Sequence, residues 1–378
     1  MQTLKRESDD KKFSVALFGI QPDSFLAPKI SDGANIQVTK LILSGLANGL
    51  AYDNASSVAD NGVPYYVLSK DAQDKLSRSQ FPESKLADVK KDANVKDAAV
   101  LGQSMQTLKR ESDDKKFSVA LFGIQPDSFL APKISDGANI QVTKPDEIVV
   151  DSSLKSDGIK IGDVLMDDIL NRELTVVGFT ENQKYSHAPV VYINIATWQE
   201  INPVLYHQKI PQTSTIAIKT ENPDKGVTLS DKDLTTIDHK GFLNQIPGYS
   251  AEQMTLNMMI FFLIIIGGFI LTAFFYVMTL QKTTQFGILK ALGTKTSYLV
   301  KSIITQVVII SIISILISVG VTLLLPSIMP AAMPFRLSPM TIALYSGLFF
   351  LVALFGALLS LRRIAKVDAL DAIRGGDE

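Results

Sequence analysis

Three long apolar stretches in the last third of the chain dominate its hydrophobic pattern. Met254–Leu280, Ser302–Leu325 and Leu337–Leu361 contain no Asp, Glu, Lys, Arg or His. An α-helix needs about 20 apolar residues to cross the hydrocarbon core of a bilayer, and each stretch is long enough. Buried helices of soluble proteins rarely stay uncharged over such a length. The pattern therefore predicts three transmembrane helices, at residues 254–280, 302–325 and 339–361.

The distribution of Lys and Arg predicts how these helices are oriented. The link 281–301 carries four lysines and no acidic residue, the tail 362–378 carries four Lys and Arg residues, and the loop 326–338 carries only Arg336. Positive charge is enriched in cytoplasmic loops. We therefore predict that the link and the tail are cytoplasmic and that the loop is external. The residues before Met254 are then external as well.

A large external domain ahead of three membrane helices needs an upstream anchor of its own. The sequence offers Leu41–Tyr52 (LILSGLANGLAY), which has 12 residues and is too short to span a bilayer. We interpret residues 41–52 as the remnant of a first transmembrane helix whose inner half is missing.

An exact repeat in the sequence explains why the inner half of the first transmembrane helix is missing. Met1–Lys40 and Met105–Lys144 are identical at all 40 positions. Repeats that arise by evolution diverge, and solenoid repeats occur many times. The second copy continues smoothly into the strand-like run PDEIVVD, whereas the first copy ends at the apolar remnant. We interpret residues 1–40 as a displaced or artefactual copy that replaces a native cytoplasmic start, and a genuine structural repeat is the alternative.

Residues 53–250 alternate short strand-like runs with turns and helical patches. Val, Ile, Tyr and Phe are enriched in the runs, as they are in strands. The predicted strands are Tyr65–Ser69, Phe117–Ile124, Glu147–Asp151, Leu174–Thr180, Pro189–Ile195 and Ser214–Thr220, with a small β-unit at Gly158–Met166. The predicted helical patches are Ser84–Asn94, Ile195–Glu200 and Leu229–Ile237. This pattern predicts a mixed α+β external domain with much antiparallel pairing.

Composition and motifs exclude several classes of function. The chain has no cysteine, so it has no disulfide and no cysteine zinc site, and its net charge of −1 argues against nucleic-acid binding. The motifs HExxH, GxSxG and GxGxxG are absent. Gly287–Thr296 (GILKALGTKT) departs from the phosphate-loop pattern and follows a membrane helix. The predicted spans hold no ionisable group for a proton or ion relay. We therefore predict a non-enzyme without a bound cofactor or metal, which takes any energy for transport from elsewhere.

Two short segments carry a resemblance to a known family. They are QFGILKALG (Gln285–Gly293), after the first long apolar stretch, and IAKVDALDAIRG (Ile364–Gly375) in the tail. They resemble the corresponding motifs of the ABC transporter permeases that include the cell-division and macrolide-efflux permeases. Gln285, Ala369 and Asp371 stand where an acid, a Pro and a Glu are usual. The resemblance implies an α-helical membrane protein with a four-helix permease topology, its first helix truncated here, and a large extracellular α+β domain.

Further segments give a closer resemblance, to the haem-efflux ABC transporter permeases of Gram-positive bacteria. They are SGLANGLA (Ser44–Ala51), YSHAPVV (Tyr185–Val191), IPGYSAEQMTLNMMI (Ile246–Ile260), FFYVMTLQK (Phe274–Lys282), FGILKALGTKT (Phe286–Thr296) and PAAMPF (Pro330–Phe335). This resemblance implies haem as the substrate and a multi-pass protein of the cell membrane. It also implies two partners, namely a second copy of the chain and a separate ATPase subunit that holds the ATP.

The same resemblance implies that the segment 285–293 docks on the ATPase. Its apolar side chains can fill a hydrophobic groove while Lys290 stays solvated. A helix that lies on the lipid surface is the alternative. The residues assigned to ATPase coupling are Phe286, Gly287, Ile288, Leu289, Lys290, Leu292 and Gly293.

A haem site needs apolar walls, an iron ligand such as His, Tyr or Met, and polar partners for two propionates. Met254 and Met258 are four residues apart and so share one helix face, although methionines at a helix start more often serve in packing. The candidate substrate contacts are Glu252, Met254, Met258 and Met259 at the membrane boundary, Tyr185 and His187 in a loop between two strands, and Arg336 in the external loop.

Two other functions stay open on the sequence alone. One is ABC-type export of another lipophilic compound or an antimicrobial peptide. The other is a non-transporting transmembrane coupler that activates an external enzyme.

Overall fold

A computed structural model of the chain describes residues 27–73, 75–141, 143–167, 172–202, 210–329 and 333–365. Most of the N-terminal copy, the residues Pro330–Ala332 and most of the predicted tail lie outside the described residues. The chain divides into a helical unit, which comprises the residues up to Gly49 and from Thr255 onward, and a sheet unit, Leu50–Met254.

The described helices and strands have the following bounds. The helices are α1 (Ala27–Ala59), α2 (Leu86–Val89), α3 (Ser153–Ser156), α4 (Ile195–Ile201), α5 (His239–Gln245), α6 (Tyr249–Gln281), α7 (Thr283–Ala291), α8 (Thr296–Leu324) and α9 (Pro339–Ala365). The strands are β1 (Tyr65–Ser69), β2 (Phe81–Pro82), β3 (Val95–Arg110), β4 (Lys116–Ile124), β5 (Ile134–Gly137), β6 (Glu147–Asp151), β7 (Val164–Asp167), β8 (Glu173–Thr180), β9 (Lys184–Tyr185), β10 (Ala188–Asn194), β11 (Gln212–Thr213), β12 (Thr215–Thr220) and β13 (Leu234–Asp238).

Three helices among the described residues are long and apolar enough to cross a membrane. They are Tyr249–Gln281, Thr296–Ser327 and Pro339–Leu359, and they coincide with the three apolar stretches of the sequence. The first helix begins at Tyr249, five residues before the predicted start. Side chains of these helices pack on each other in one cluster that includes Leu271, Phe275, Ile303 and Phe349. Many other apolar side chains of the same helices are exposed, as expected for surfaces that face lipid.

The helix α1 packs on these membrane helices although it is less apolar than they are. Gly33 lies against Ser314 of α8 and Phe349 of α9. Ser318 Oγ donates a hydrogen bond of 3.0 Å to the Ala34 carbonyl. The end of the first copy, residues 27–40, therefore forms the first part of a 33-residue helix, which is much longer than the predicted remnant 41–52.

The sheet unit is built on an 11-stranded mixed sheet. Its main path has the order β13-β1-β12-β3-β4-β10-β6-β8-β5, while β7 pairs with β3 and β8, and β9 pairs with β10. The pairs β4–β10 and β6–β8 are parallel, and the other pairs are antiparallel. The six predicted strands are all confirmed. The long strand β3 was not predicted, because its residues 95–110 mix Ala, Gln, Lys and Asp with the apolar positions.

Two of the three predicted helical patches differ from the structure. The predicted helix at Leu229–Ile237 is wrong, because its end forms β13, which pairs antiparallel with β1. Thr235, Thr236 and Ile237 are β-branched and therefore fit a pleated strand better than a helix. The patch Ser84–Asn94 shortens to one 3₁₀ turn and α2. The third patch is confirmed as α4, whose first turn is capped by the Asn194 side chain.

The fully buried Trp198 of α4 packs on the sheet at two glycines. Gly102 of β3 and Gly123 of β4 face each other in register, and any side chain at either position would collide with the Trp198 ring. Its indole Nε1 donates to Ser104 Oγ at 3.0 Å. These glycines are therefore required for the close approach of the ring rather than for backbone freedom.

Candidate functional site

Five side chains of the sheet unit form a polar cluster at the start of α6. Asp53 and Asn54 come from α1, Lys184 from β9, His187 from the turn after β9, and Glu252 from the first turn of α6. His187 Nε2 lies 2.8 Å from Glu252 Oε1, and its Nδ1 lies 3.1 Å from Asp53 Oδ2. Asn54 Nδ2 donates to Glu252 Oε2 at 3.2 Å, and Lys184 Nζ pairs with Asp53 at 2.6 Å. Two carboxylates, an imidazole and an ammonium group thus form one network.

The turn that carries His187 has an uncommon backbone conformation. Lys184–Tyr185 and Ala188–Pro189 pair as a hairpin, and the two residues between them, Ser186 and His187, have φ values of 51° and 62°. Positive φ at both central residues is typical of the tightest hairpins but is usually supplied by Asn and Gly. The Ser186 amide donates to the Asn54 carbonyl at 2.7 Å. The turn is therefore held against α1, which fixes the position of His187.

The charges of the cluster favour a protonated His187. Partial burial by itself lowers the pKa of His187, but the hydrogen bonds to Glu252 and Asp53 and their negative charges outweigh it and raise the pKa above its usual value. With His187 protonated, the two positive charges of the cluster balance its two negative charges. With His187 neutral, a net negative charge remains among the same groups.

This raised pKa predicts a pH-dependent stability. The stabilisation from His187 is fully present below the unfolded pKa of about 6.5 and is lost as pH rises through the folded pKa. We expect the thermal midpoint of the sheet unit to fall by about 1–3 °C more for the wild type than for His187→Asn between about pH 6 and about pH 9, since partly exposed ion pairs contribute below about 1 kcal/mol. Trp198, the single tryptophan of the chain, reports this unfolding by fluorescence in the full-length protein.

Asparagine is the matched replacement for His187 because it tolerates positive φ. Equal pH dependence in the two proteins would show that His187 does not hold the cluster together.

Tyr185 does not lie where the sequence analysis expected it. Its side chain is only 2% exposed and packs edge-on against Phe122, with ring centroids 5.5 Å apart. Burial raises its pKa, so its phenol stays protonated. Tyr185 belongs to β9 and points into the core, whereas His187 follows in the turn and stays exposed. Of the two candidate residues, only His187 is therefore accessible to a ligand in the described state.

The three candidate methionines lie on the surface of α6. Met254, Met258 and Met259 are all exposed, and Met254 is the most exposed of them at 75%. They are therefore not packed in a core of the described chain, which was the main alternative. Met254 belongs to the sheet unit with Glu252, while Met258 and Met259 belong to the helical unit.

Arg336 lies in the helical unit, on the loop between α8 and α9. Its amide donates to the Gly45 carbonyl of α1 at 3.0 Å, and the ring of the preceding Phe335 packs directly on Gly45. A side chain at Gly45 would collide with that ring. The Arg336 side chain is exposed.

The segment predicted to couple to an ATPase forms a helix of its own, α7. Ile288, Leu289 and Leu292 are exposed, and Leu292 is 78% exposed. Gly293 has φ of 92° and ends the helix, with hydrogen bonds from Gly293 N to Lys290 O and from Thr294 N to Leu289 O. These bonds form a Schellman motif, which requires the left-handed conformation that glycine adopts easily. The glycine of the motif therefore ends α7 just after its apolar residues.

Phe286 differs from the other apolar residues of this segment. It is 7% exposed and packs in the core of the helical unit with residues such as Leu299 and Ile303. The neighbouring Gly287 is buried too. In the described state the Phe286 side chain therefore attaches α7 to its own unit, and the exposed apolar residues of the segment are Ile288, Leu289 and Leu292.

The described residues contain no group of three or more His, Asp or Glu side chains placed to hold a metal ion. The polar cluster offers hydrogen-bonding and charge rather than a metal site.

Known proteins similar to this chain are membrane permeases. Residues 257–369 match the family model of the FtsX-like permease C-terminal domain. The chain is 32% identical over 337 residues to the hemin transport system permease protein HrtB of Staphylococcus haemolyticus, which covers 89% of this chain and 91% of that protein. It is 30% identical over 341 residues to the HrtB protein of Staphylococcus epidermidis, with the same coverage. An ABC transporter permease of Mycobacterium tuberculosis is 25% identical over 358 residues.

Proposed function

This chain belongs to the family of the staphylococcal hemin transport permeases, and from that premise we propose that it exports haem from the cell membrane as the permease subunit of an ABC transporter. The observation that carries the proposal is the 32% identity over 91% of the Staphylococcus haemolyticus permease. Proteins of this family are permeases and not enzymes. ATP hydrolysis therefore belongs to a separate ATPase subunit, and haem is a substrate rather than a cofactor.

We further propose how the assembly is arranged. The chain is a multi-pass protein of a Gram-positive cell membrane, and its extracellular domain is the sheet unit. Exposed apolar side chains on α6, such as Phe261, Phe262 and Phe269, suit contact with lipid or with a second copy of the chain. The ATPase docks on α7 through Ile288, Leu289 and Leu292, with Phe286 and Gly287 holding α7 in place and Gly293 ending it.

Glu252, Met254, Met258 and Met259 are the proposed contacts for haem along α6, with His187 and Arg336 as further contacts. Thioether sulfur ligates haem iron, and exposed Met side chains also offer adaptable apolar surface. Arg336 suits a propionate because guanidinium binds carboxylates in a planar fork. Both oxygens of Glu252 are engaged, by His187 and Asn54, in the described state. A haem contact at Glu252 therefore requires that one of these partners releases it.

Haem survival tests the proposal. The permease and its ATPase are expressed together in a haem-sensitive bacterial strain that lacks its own permease, and growth and cell-associated haem are measured at rising haemin concentrations. We expect protection by the wild type and loss of most protection in a Met254→Leu and Met258→Leu double variant. Met340→Leu is the matched control, because Met340 is equally exposed on α9.

A permease that reaches the membrane with its ATPase and gives no protection would contradict haem export. Protection against another lipophilic compound or a peptide would then favour the broader export function. An external enzyme that copurifies with the chain and is activated by it would instead favour a transmembrane coupler.

A further inference from the structure

The sheet unit carries a groove that none of the residues discussed above uses. Its volume is about 530 Å³, within the range of about 300–1,000 Å³ that is usual for small-molecule sites. Its lining includes Val63, Pro64, Pro223, Lys96, Lys219 and His239. It thus combines apolar side chains with two lysines and an imidazole, and no acidic residue belongs to the lining.

The imidazole of His239 is held in one orientation and one tautomer. Its Nδ1 lies 2.9 Å from the Val63 carbonyl oxygen, and its backbone amide donates to the Pro64 carbonyl at 2.9 Å. A carbonyl oxygen only accepts hydrogen bonds, so Nδ1 carries the proton and Nε2 of the neutral ring has a free lone pair. Histidines that ligate metals typically donate their other ring N–H to a carbonyl in this way. His239 is therefore prepared to donate Nε2 to a metal centre.

The two lysines of the groove lack a counter-charge. Lys96 and Lys219 make no ion pair with any residue that the structure describes, and Lys219 Nζ lies 4.4 Å from the centre of the Phe129 ring. Two ammonium groups thus belong to the lining of the same groove. This arrangement suits a ligand that carries two anionic groups.

Four other lining residues are apolar. Ala59, Val63, Pro64 and Pro223 present hydrocarbon without a charged group among them. A ligand with an apolar body, two carboxylates and a metal centre that accepts nitrogen matches this lining. Among the ligands that the proposed function brings to this unit, haem has this composition.

We propose that this groove binds haem on the extracellular domain, with His239 Nε2 as an axial ligand of the iron and Lys96 and Lys219 as partners of the two propionates. The inference rests on the proposed function and deepens it, because it adds a second haem site outside the membrane helices. Binding forms one iron–nitrogen bond from the Nε2 lone pair and releases no proton, since Nδ1 keeps its hydrogen. The groove is open to solvent, which suits a site that takes up exported haem and releases it.

The test is a haemin titration of the full-length permease with its ATPase in lipid nanodiscs, followed by absorbance in the Soret region and by electron paramagnetic resonance. In the wild type we expect one equivalent of bound haemin to show the spectrum of imidazole ligation. In His239→Gly we expect the affinity for this equivalent to fall by about 10–100-fold, as is usual when a metal site is impaired, so that its signal is lost. The double variant Lys96→Gln, Lys219→Gln is expected to bind that equivalent of haemin more weakly. It is also expected to bind iron-free protoporphyrin IX more weakly. Lys240→Gln is the matched control, because Lys240 is exposed, adjacent to His239 and absent from the groove.

Imidazole added to His239→Gly separates lost ligation from misfolding. Recovery of the signature with free imidazole supports the assignment, because a misfolded groove would not recover. Unchanged titration of His239→Gly would overturn it. If the wild type protects cells from haem while His239→Gly binds haemin like the wild type, the assignment of a haem site to the groove is wrong. Haem export is then still supported. If the wild type gives no protection while His239-dependent binding is present, haem export is wrong and the groove stands as a haem site.

Discussion

Replacing Leu289 with aspartate is expected to abolish association of the permease with its ATPase and, with it, all protection against haem. Leu289 is exposed on α7 between Ile288 and Leu292, and the proposed docking surface consists of these three side chains. A carboxylate at this position would be buried without a counter-ion on docking. Substituting an interface residue of this kind lowers the binding free energy by at least about 2 kcal/mol, which corresponds to about 30-fold in affinity. Copurification of tagged ATPase with the permease measures the effect.

Gln285→Asp is the matched control for Leu289→Asp. It places the same charge in the same helix, but Gln285 is polar and exposed and lies outside the apolar set. We expect Gln285→Asp to bind the ATPase normally. Phe286→Ala serves a different purpose, because Phe286 is buried in the helical unit and its loss should lower the amount of folded permease. A Leu289→Asp variant that keeps its ATPase would indicate that α7 lies on lipid instead.

Replacing Lys40 with leucine is expected to increase the fraction of chains in which α1 is inserted in the membrane. Lys40 is 1% exposed, and its Nζ has no hydrogen-bond partner among the residues that the structure describes. The Lys40 Nζ atom lies over the Phe349 ring, 5.6 Å from its centre. A lysine in the centre of a membrane helix costs about 2.5–3.5 kcal/mol on insertion scales, and leucine is favourable by about 0.5 kcal/mol. The change therefore removes a buried charge that opposes insertion of α1.

The chain has no cysteine, which makes the measurement simple. A single cysteine introduced as Gln2→Cys reacts with a membrane-impermeant maleimide only when the N-terminus is outside. We expect Lys40→Leu to reduce this labelling severalfold and to raise the amount of intact permease. Thr39→Leu is the control, because Thr39 is exposed and its replacement adds apolar area without removing a buried charge. Equal effects of the two changes would contradict a special cost of Lys40.

This result also bears on residues 1–40. Gln37 Oε1 is a second buried atom of the same stretch without a hydrogen-bond partner in the described chain, although Gln37 Nε2 donates to Ser346. Native membrane helices usually satisfy such groups. The two unsatisfied groups support the interpretation that this copy replaces a more apolar segment of the first helix.

The membrane helices could be predicted because their signal is local. A run of more than 20 apolar residues without charge needs no knowledge of its neighbours to be assigned to lipid. Six strands of the sheet unit could be predicted for a similar reason, since their β-branched and aromatic residues favour extended backbone wherever they pack. The apolar side chains of α7 were found in the same way, through a motif within nine residues.

Features that depend on contacts distant in sequence could not be predicted. The sequence pattern of Leu229–Ile237 predicts a helix. In the structure β13 forms instead, because it pairs with β1, which lies more than 160 residues upstream. Tyr185 and His187 are two positions apart, yet one is buried against Phe122 and the other is held by Asp53 and Glu252. The groove around His239 combines residues from positions 59 to 239, and no spacing in the sequence connects them.

The repeated segment shows, within one molecule, the difference between local sequence preference and tertiary contacts. Ala27–Lys40 and Ala131–Lys144 have the same sequence, and the first is helical while the second contains β5 and turns. In the sheet unit, β8 offers backbone hydrogen bonds to Ile134–Gly137, and extended backbone satisfies both chains. Among membrane helices no such edge exists, so the same residues satisfy their backbone internally as a helix. The sequence by itself determined which stretches enter the membrane and which form strands with strong local preference. Only the tertiary structure decided the conformation of the repeat, because the partners of its backbone groups lie elsewhere in the chain.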